Sequence, residues 1–104
     1  MKTITVSDEN GKKYTLEFTK NVIVHMEKQG FNIDDFDKKP VLMTSMLVQG
    51  AFMANHSSTK YSKIEEIFKS LKNKKSFLEK LVEMYNEQSD ELVDEGNVDW
   101  EANF

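Results

Sequence analysis

The chain has no cysteine, no arginine, one proline and four glycines in 104 residues. Without cysteine there is no disulfide, no thiolate metal site and no cysteine nucleophile. All 14 basic residues are lysine, so there is no guanidinium fork to grip a phosphate or a guanine edge bidentately. That disfavours sequence-specific DNA recognition. The low proline and glycine content is foreign to collagen-like and low-complexity chains. Long apolar runs are missing too. The 20 residues from Pro40 to Thr59 carry no formal charge, but Thr44, Ser45, Gln49, Asn55 and His56 interrupt them, whereas a membrane span needs ~20 predominantly apolar residues. Met1 and Lys2 lead straight into the alternation Thr3, Ile4, Thr5, Val6, Ser7, not into the roughly 7–15 apolar residues of a secretory signal. The segment from Pro40 reads as a buried helix of a soluble cytoplasmic protein without membrane contact.

What is present is one domain's worth of chain, 38% hydrophobic and 31% charged. A chain of this length buries roughly 65% of its unfolded surface, enough for a modest core. Charge is unevenly placed. Residues 1–86 hold 14 lysines and 11 acids, net +3, and residues 87–104 hold seven acids and no base, net −7; together they make the −4 of the whole. The expected fold class is α+β: an N-terminal β-hairpin, about four α-helices packed around a central apolar helix, and an acidic C-terminal tail. Residues 1–94 form a single compact domain in this reading, with the hairpin at 2–18 and helices at about 19–29, 40–55, 62–72 and 74–94. Residues 95–104 form a flexible acidic tail.

The hairpin register follows from the side-chain alternation. A two-residue loop at Asn10-Gly11 would set Ile4 and Val6 on the face opposite Leu16 and Tyr14, whereas a three-residue loop, Glu9-Asn10-Gly11, pairs Val6 with Tyr14 and Ile4 with Leu16. The second register is expected, with Gly11 in a left-handed conformation. Thr19 suits a helix N-cap and Gly30 a C-terminal stop. Phe31, Ile33 and Phe36 are expected to pin an acidic loop, and Pro40 fits a first helical position. The Pro40 helix is apolar nearly all round, so it is expected at the centre; Gly50 within it signals close approach of a neighbour. Ser62 and Glu65 are spaced as a capping box, Asn73 is a further cap candidate, and the last helix is expected to bend near Asn86–Ser89 and to bury Leu92 and Val93 in a final turn. The tail from Gly96 shows no regular period.

Catalytic chemistry is sparse. His25 and His56 lie 31 residues apart with no HExxH or HxxxH spacing, and there is no Gly-rich phosphate loop or GxSxG. Asp34, Asp35 and Asp37 lack the glycine and glutamate of a calcium loop. The expectation is no enzyme, no cofactor, no metal; His56 is expected to help satisfy the terminal carbonyls of its helix. Lysines 60, 63, 69, 72, 74, 75 and 80 form either a solvated face or a basic stripe on which phosphates or the acidic tail settle. Six methionines are many for this length. Met43, Met46 and Met53 share the central helix and suit an irregular core or an adaptable groove for apolar helices. In the tail, Val98, Trp100 and Phe104 are large apolar groups set among acids, ready to dock on their own domain or to anchor a partner. These six residues are the candidate protein-binding residues.

The strand-turn-strand start, Met26-Glu27-Lys28-Gln29-Gly30-Phe31, the run Gly50-Ala51-Phe52, Met84-Tyr85-Asn86-Glu87 and the ending Gly96-Asn97-Val98-Asp99-Trp100-Glu101 together resemble a family of small tail assembly chaperones of long-tailed, siphovirus-type bacteriophages. The resemblance spans nearly the whole chain. It implies a non-enzymatic protein of the host cell cytoplasm, absent from the mature virion, that binds the tape measure protein, keeps it soluble and helps recruit the major tail tube protein. A homo-oligomer and a longer frameshifted form are compatible with it. The tail would then be a detachable arm covering an apolar or basic surface until a client displaces it. The rival readings are a small phage DNA-binding or host-regulatory protein using the lysines, and a structural head-tail component.

Overall fold

The hairpin takes the register in which both apolar sets share one face. In the computed structural model, which describes residues 2–93 and 95–104, strands β1 (Ile4–Ser7) and β2 (Lys13–Leu16) pair antiparallel, with Ile4 opposite Leu16 and Val6 opposite Tyr14. Gly11 N–H donates to the carbonyl of Asp8 at 3.0 Å, Asp8 N–H donates to the carbonyl of Lys12 at 2.9 Å, and Gly11 has φ +80°. This is the three-residue loop with a left-handed third residue. The Asp8 carboxylate clamps it, accepting the backbone N–H of Asn10 at 2.9 Å and of Lys12 at 3.0 Å.

Thr19 caps helix α1 (Lys20–Lys28), its hydroxyl accepting from Val22 N–H at 3.3 Å. The helix ends in a Schellman motif. Gly30, at φ +99°, donates to Glu27 O at 3.0 Å and Phe31 donates to Met26 O at 3.0 Å, satisfying carbonyls that the helix leaves open. Phe31 and Met26, which flank that motif, are both buried. Phe31 then stacks edge-on against Phe36 at 6.1 Å and Tyr85 at 5.1 Å, so the acidic loop is pinned by its aromatics.

Helix α2 (Pro40–His56) is the hub, with Pro40 in its first turn. It packs against α1, β2, α3 (Tyr61–Ser70) and α4 (Lys74–Glu91). Met43, Leu47, Ala51 and Phe52 are each at most 1% exposed, and full burial of a large apolar side chain stabilises by about 1.5–3 kcal/mol. Gly50 lies where α1 crosses: a methyl group built on it would overlap Met26 Sδ and meet Met26 Cε at 2.9 Å. The end of α2 also covers the outer edge of β2, which would otherwise present unpaired backbone groups. Thr15 N–H donates to His56 Nε2 at 3.0 Å, Asn55 Nδ2 donates to Thr15 O at 3.1 Å, and Glu17 N–H donates to Ala51 O at 3.1 Å.

Four local expectations are corrected. Helix α3 begins at Tyr61 with Lys60 at its N-cap and no side-chain cap; Ser62 therefore sits inside the helix, and Glu65 accepts instead from the Tyr61 hydroxyl at 2.5 Å. Asn73 does start α4, but through its left-handed backbone at φ 54° and ψ 48° rather than a side-chain bond. His56 serves the strand edge, not its own carbonyls. Finally, α4 is continuous to Glu91, and Leu92 and Val93 are 46% and 81% exposed; of the expected final turn and of the 1–94 unit, Asp94 and Met1 fall outside the described residues. Glu95 to Phe104 has no helix or strand.

Candidate protein-docking face

Because α2 is apolar around its whole circumference, its neighbours must cover every side to bury it, and they leave one strip open. Leu42, Met46, Gln49 and Met53 follow one another at four, three and four residues, so they share a helix face. Leu42 is 52% exposed, and its neighbour Val41 83%; Met46, Gln49 and Met53 are half-buried. A cleft of about 280 Å³ runs along one side of this strip, against α1, lined by His25, Met26, Gln29, Leu42, Met46 and Met53. A second cleft, of about 370 Å³, runs along the other side between α2 and α3. Pro40, Val41, Val48, Tyr61, Ile64 and Phe68 line it. Volumes of this order are those of sites that take up large apolar groups.

Four polar side chains of the larger cleft form one chain of hydrogen bonds. Gln49 Nε2 donates to Ser45 Oγ at 3.1 Å, Ser45 Oγ lies 3.0 Å from the Tyr61 hydroxyl, and that hydroxyl donates to Glu65 Oε1 at 2.5 Å. With Tyr61 committed to Glu65, the Ser45 hydroxyl donates to Tyr61 and accepts from Gln49. Lysines adjoin the cleft at the α2 N-terminus and the α3–α4 junction. Lys74 Nζ stands 5.9 Å over the ring of Phe68, Lys39 precedes Pro40, and Lys69 and Lys72 flank the end of α3. Among the described residues none of these four lysines is ion-paired. Lys63, by contrast, reaches Asp8 at 3.6 Å and Glu9 at 3.4 Å, tying α3 to the hairpin loop. Burial pushes the Asp8 carboxyl up, but the backbone N–H groups of Lys12 and Asn10, Lys63 and the Tyr14 hydroxyl together hold it below the usual aspartate range.

The expected binding residues separate into three groups. Met43 is 1% exposed and belongs to the core, so its thioether is not offered to a partner. Met46 and Met53 line the α1–α2 cleft. Val98, Trp100 and Phe104 are 91%, 85% and 112% exposed on the tail and touch neither cleft. Val41, Leu42, Tyr61 and Phe68 also line the clefts; the signal for the first two was that no helix of so small a domain can be covered on every side.

Among the described residues no three His, Asp or Glu side chains converge as metal ligands, and no helix is long and apolar enough to cross a membrane. The arrangement offers apolar contact on an exposed helix face with fixed hydrogen-bonding groups beside it. No curated protein and no solved structure matches the chain. A family match does extend over its full length, residues 1–104, and the chain therefore belongs to the family described as Domain of unknown function (DUF5055).

Proposed function

We propose that this protein is a non-enzymatic tail assembly chaperone of a long-tailed bacteriophage, acting in the host cell cytoplasm. It binds apolar helical segments of the tape measure protein, keeps that protein from aggregating and helps bring tail tube subunits to it. The observation that carries the reading is the open face of α2, where Val41 and Leu42 stand exposed and Met46 and Met53 edge a cleft. Thioether side chains adapt their shape to different apolar partners, and an apolar helix laid into a cleft beside this strip is the helix-in-groove mode of recognition. Several copies along one client would add avidity. The order of short motifs along the sequence supports the same reading.

Co-expression with the neighbouring tape measure product tests it. The expected result is co-purification and a soluble client; absence of both at matched expression overturns it. The lysines at the α3–α4 junction, without an ion-pair partner among the described residues, favour a second reading, nucleic-acid binding. Salt-dependent retention of DNA in a gel shift would support that alternative.

A further inference from the structure

We infer that the C-terminal segment Glu95–Phe104 of one copy docks in the α2–α3 cleft of a second copy, with Trp100 as its anchor. In an extended backbone successive side chains point to opposite faces. Val98, Trp100, Ala102 and Phe104 then form one face, and Asp99, Glu101 and Asn103 the other. The segment is thus an apolar ribbon with an acidic back. None of its large apolar groups is covered within its own chain, all three being at least 85% exposed. The cleft has the complementary character. Its floor is apolar, at Val48, Ile64 and Phe68, and its volume of about 370 Å³ accommodates an indole ring. Lys74 stands over Phe68, and Lys39 and Lys69 adjoin the lining residues Pro40 and Phe68 in sequence, with Lys72 three residues beyond Lys69. The one carboxylate of the lining, Glu65, is engaged by the Tyr61 hydroxyl, and the long lysine stems reach toward the carboxylates of a bound ribbon.

The tail's separation from the clefts of its own chain, neither of which it lines, selects a second copy as the host. The molecule measures 58 × 31 × 24 Å with a radius of gyration of 15.7 Å, against about 13 Å for a compact chain of this length. The segment projects as an arm, and its only internal side-chain bond joins Asn103 to Glu101 at 3.4 Å. Reciprocal exchange of two such arms closes a symmetric dimer. Two aromatic anchors per arm, at about 150–250 Å² each, give the exchanged pair roughly 600–1,000 Å² of buried arm surface before the cleft walls are counted, which is within reach of a specific but exchangeable interface. In the chaperone reading, on which this consequence alone rests, the arm masks the client face until a client displaces it.

The protein's single tryptophan reports the contact directly, with the full chain and no client present, so this inference and the chaperone reading fail separately. Sedimentation and Trp100 emission are followed together as protein concentration rises at low salt. The expected result is a monomer-to-dimer transition accompanied by a blue shift of Trp100. Phe104→Ala weakens it about tenfold or more, as does Lys69→Glu with Lys72→Glu, and Asp99→Lys with Glu101→Lys restores the latter. Monomer with red-shifted emission at every concentration overturns the inference. So does a blue shift independent of concentration, which would place the arm in its own cleft, and so does a dimer in which Trp100 stays exposed.

Discussion

Thr15 donates its backbone N–H to Nε2 of His56 at 3.0 Å, joining the outer edge of β2 to the last turn of α2. A two-stranded sheet is marginal alone, and here the helix end takes the place of a third strand. His56→Ala removes the acceptor and is expected to cost about 0.5–1.5 kcal/mol, with faster hydrogen exchange at the Thr15 amide. His25→Ala, at an exposed position, stays within about 0.5 kcal/mol of wild type. Urea denaturation and amide exchange check both.

The hairpin loop has a pH signature. The Asp8 carboxyl titrates below its usual value in the folded chain, so its contribution is complete above the ordinary aspartate range and is lost as pH falls through the folded value. Glu83, held low chiefly by its hydrogen bond from Lys2, loses its contribution in the same direction. In urea titrations from about pH 4 downward, Asp8→Asn is expected to flatten the decline while lowering stability at neutral pH. The difference between wild type and variant isolates Asp8 from Glu83.

Two glycines separate backbone strain from close approach. Gly30, at φ +99° with no atom within 4 Å of an added Cβ, loses about 1 kcal/mol or more on substitution by alanine, purely from conformation. Gly50→Ala instead gains helix propensity of ~1 kcal/mol and must displace the end of the Met26 side chain, which borders the α1–α2 cleft and has room to turn into it. Denaturation is expected to rank Gly30→Ala as the more damaging change; the reverse order would mean that Met26 is rigidly held.

Core and exposed positions respond differently along one helix. Leu47 is fully buried, and Leu47→Ala is expected to cost about 2–5 kcal/mol. Val41→Ser and Leu42→Ser, six and five residues before Leu47 at exposed positions, change stability by about 0.5 kcal/mol or less. Thermal melts of the three variants check the contrast.

The legible features were those that local chemistry decides. Tyr14, Leu16 and Val6 on one face permitted a single hairpin register, Gly30 announced the stop of α1, and an uncharged run from Pro40 marked the central helix with its close neighbour at Gly50. Tertiary partners decided the rest. Glu65 has the spacing of a capping box with Ser62, yet the Tyr61 hydroxyl captures it. His56 carries no local sign that its partner is Thr15, 41 residues away. Met43 and Met46 look alike in sequence; that Met43 is buried and Met46 only half-buried is decided by how the other elements pack around α2. The tail from Gly96 reads as having no regular period, and the alternate spacing of Val98, Trp100 and Phe104 gains weight only once the segment is seen to have no helix and to leave all three exposed.

The central claim is that the open face of α2 holds the client. Its most direct test is the soluble yield of the tape measure protein on co-expression with the Val41→Glu/Leu42→Glu variant, whose two positions are exposed and whose fold circular dichroism verifies. The expected result is a folded variant that no longer keeps the client soluble or co-purifies with it. A folded variant that retains the client at the wild-type level would contradict it.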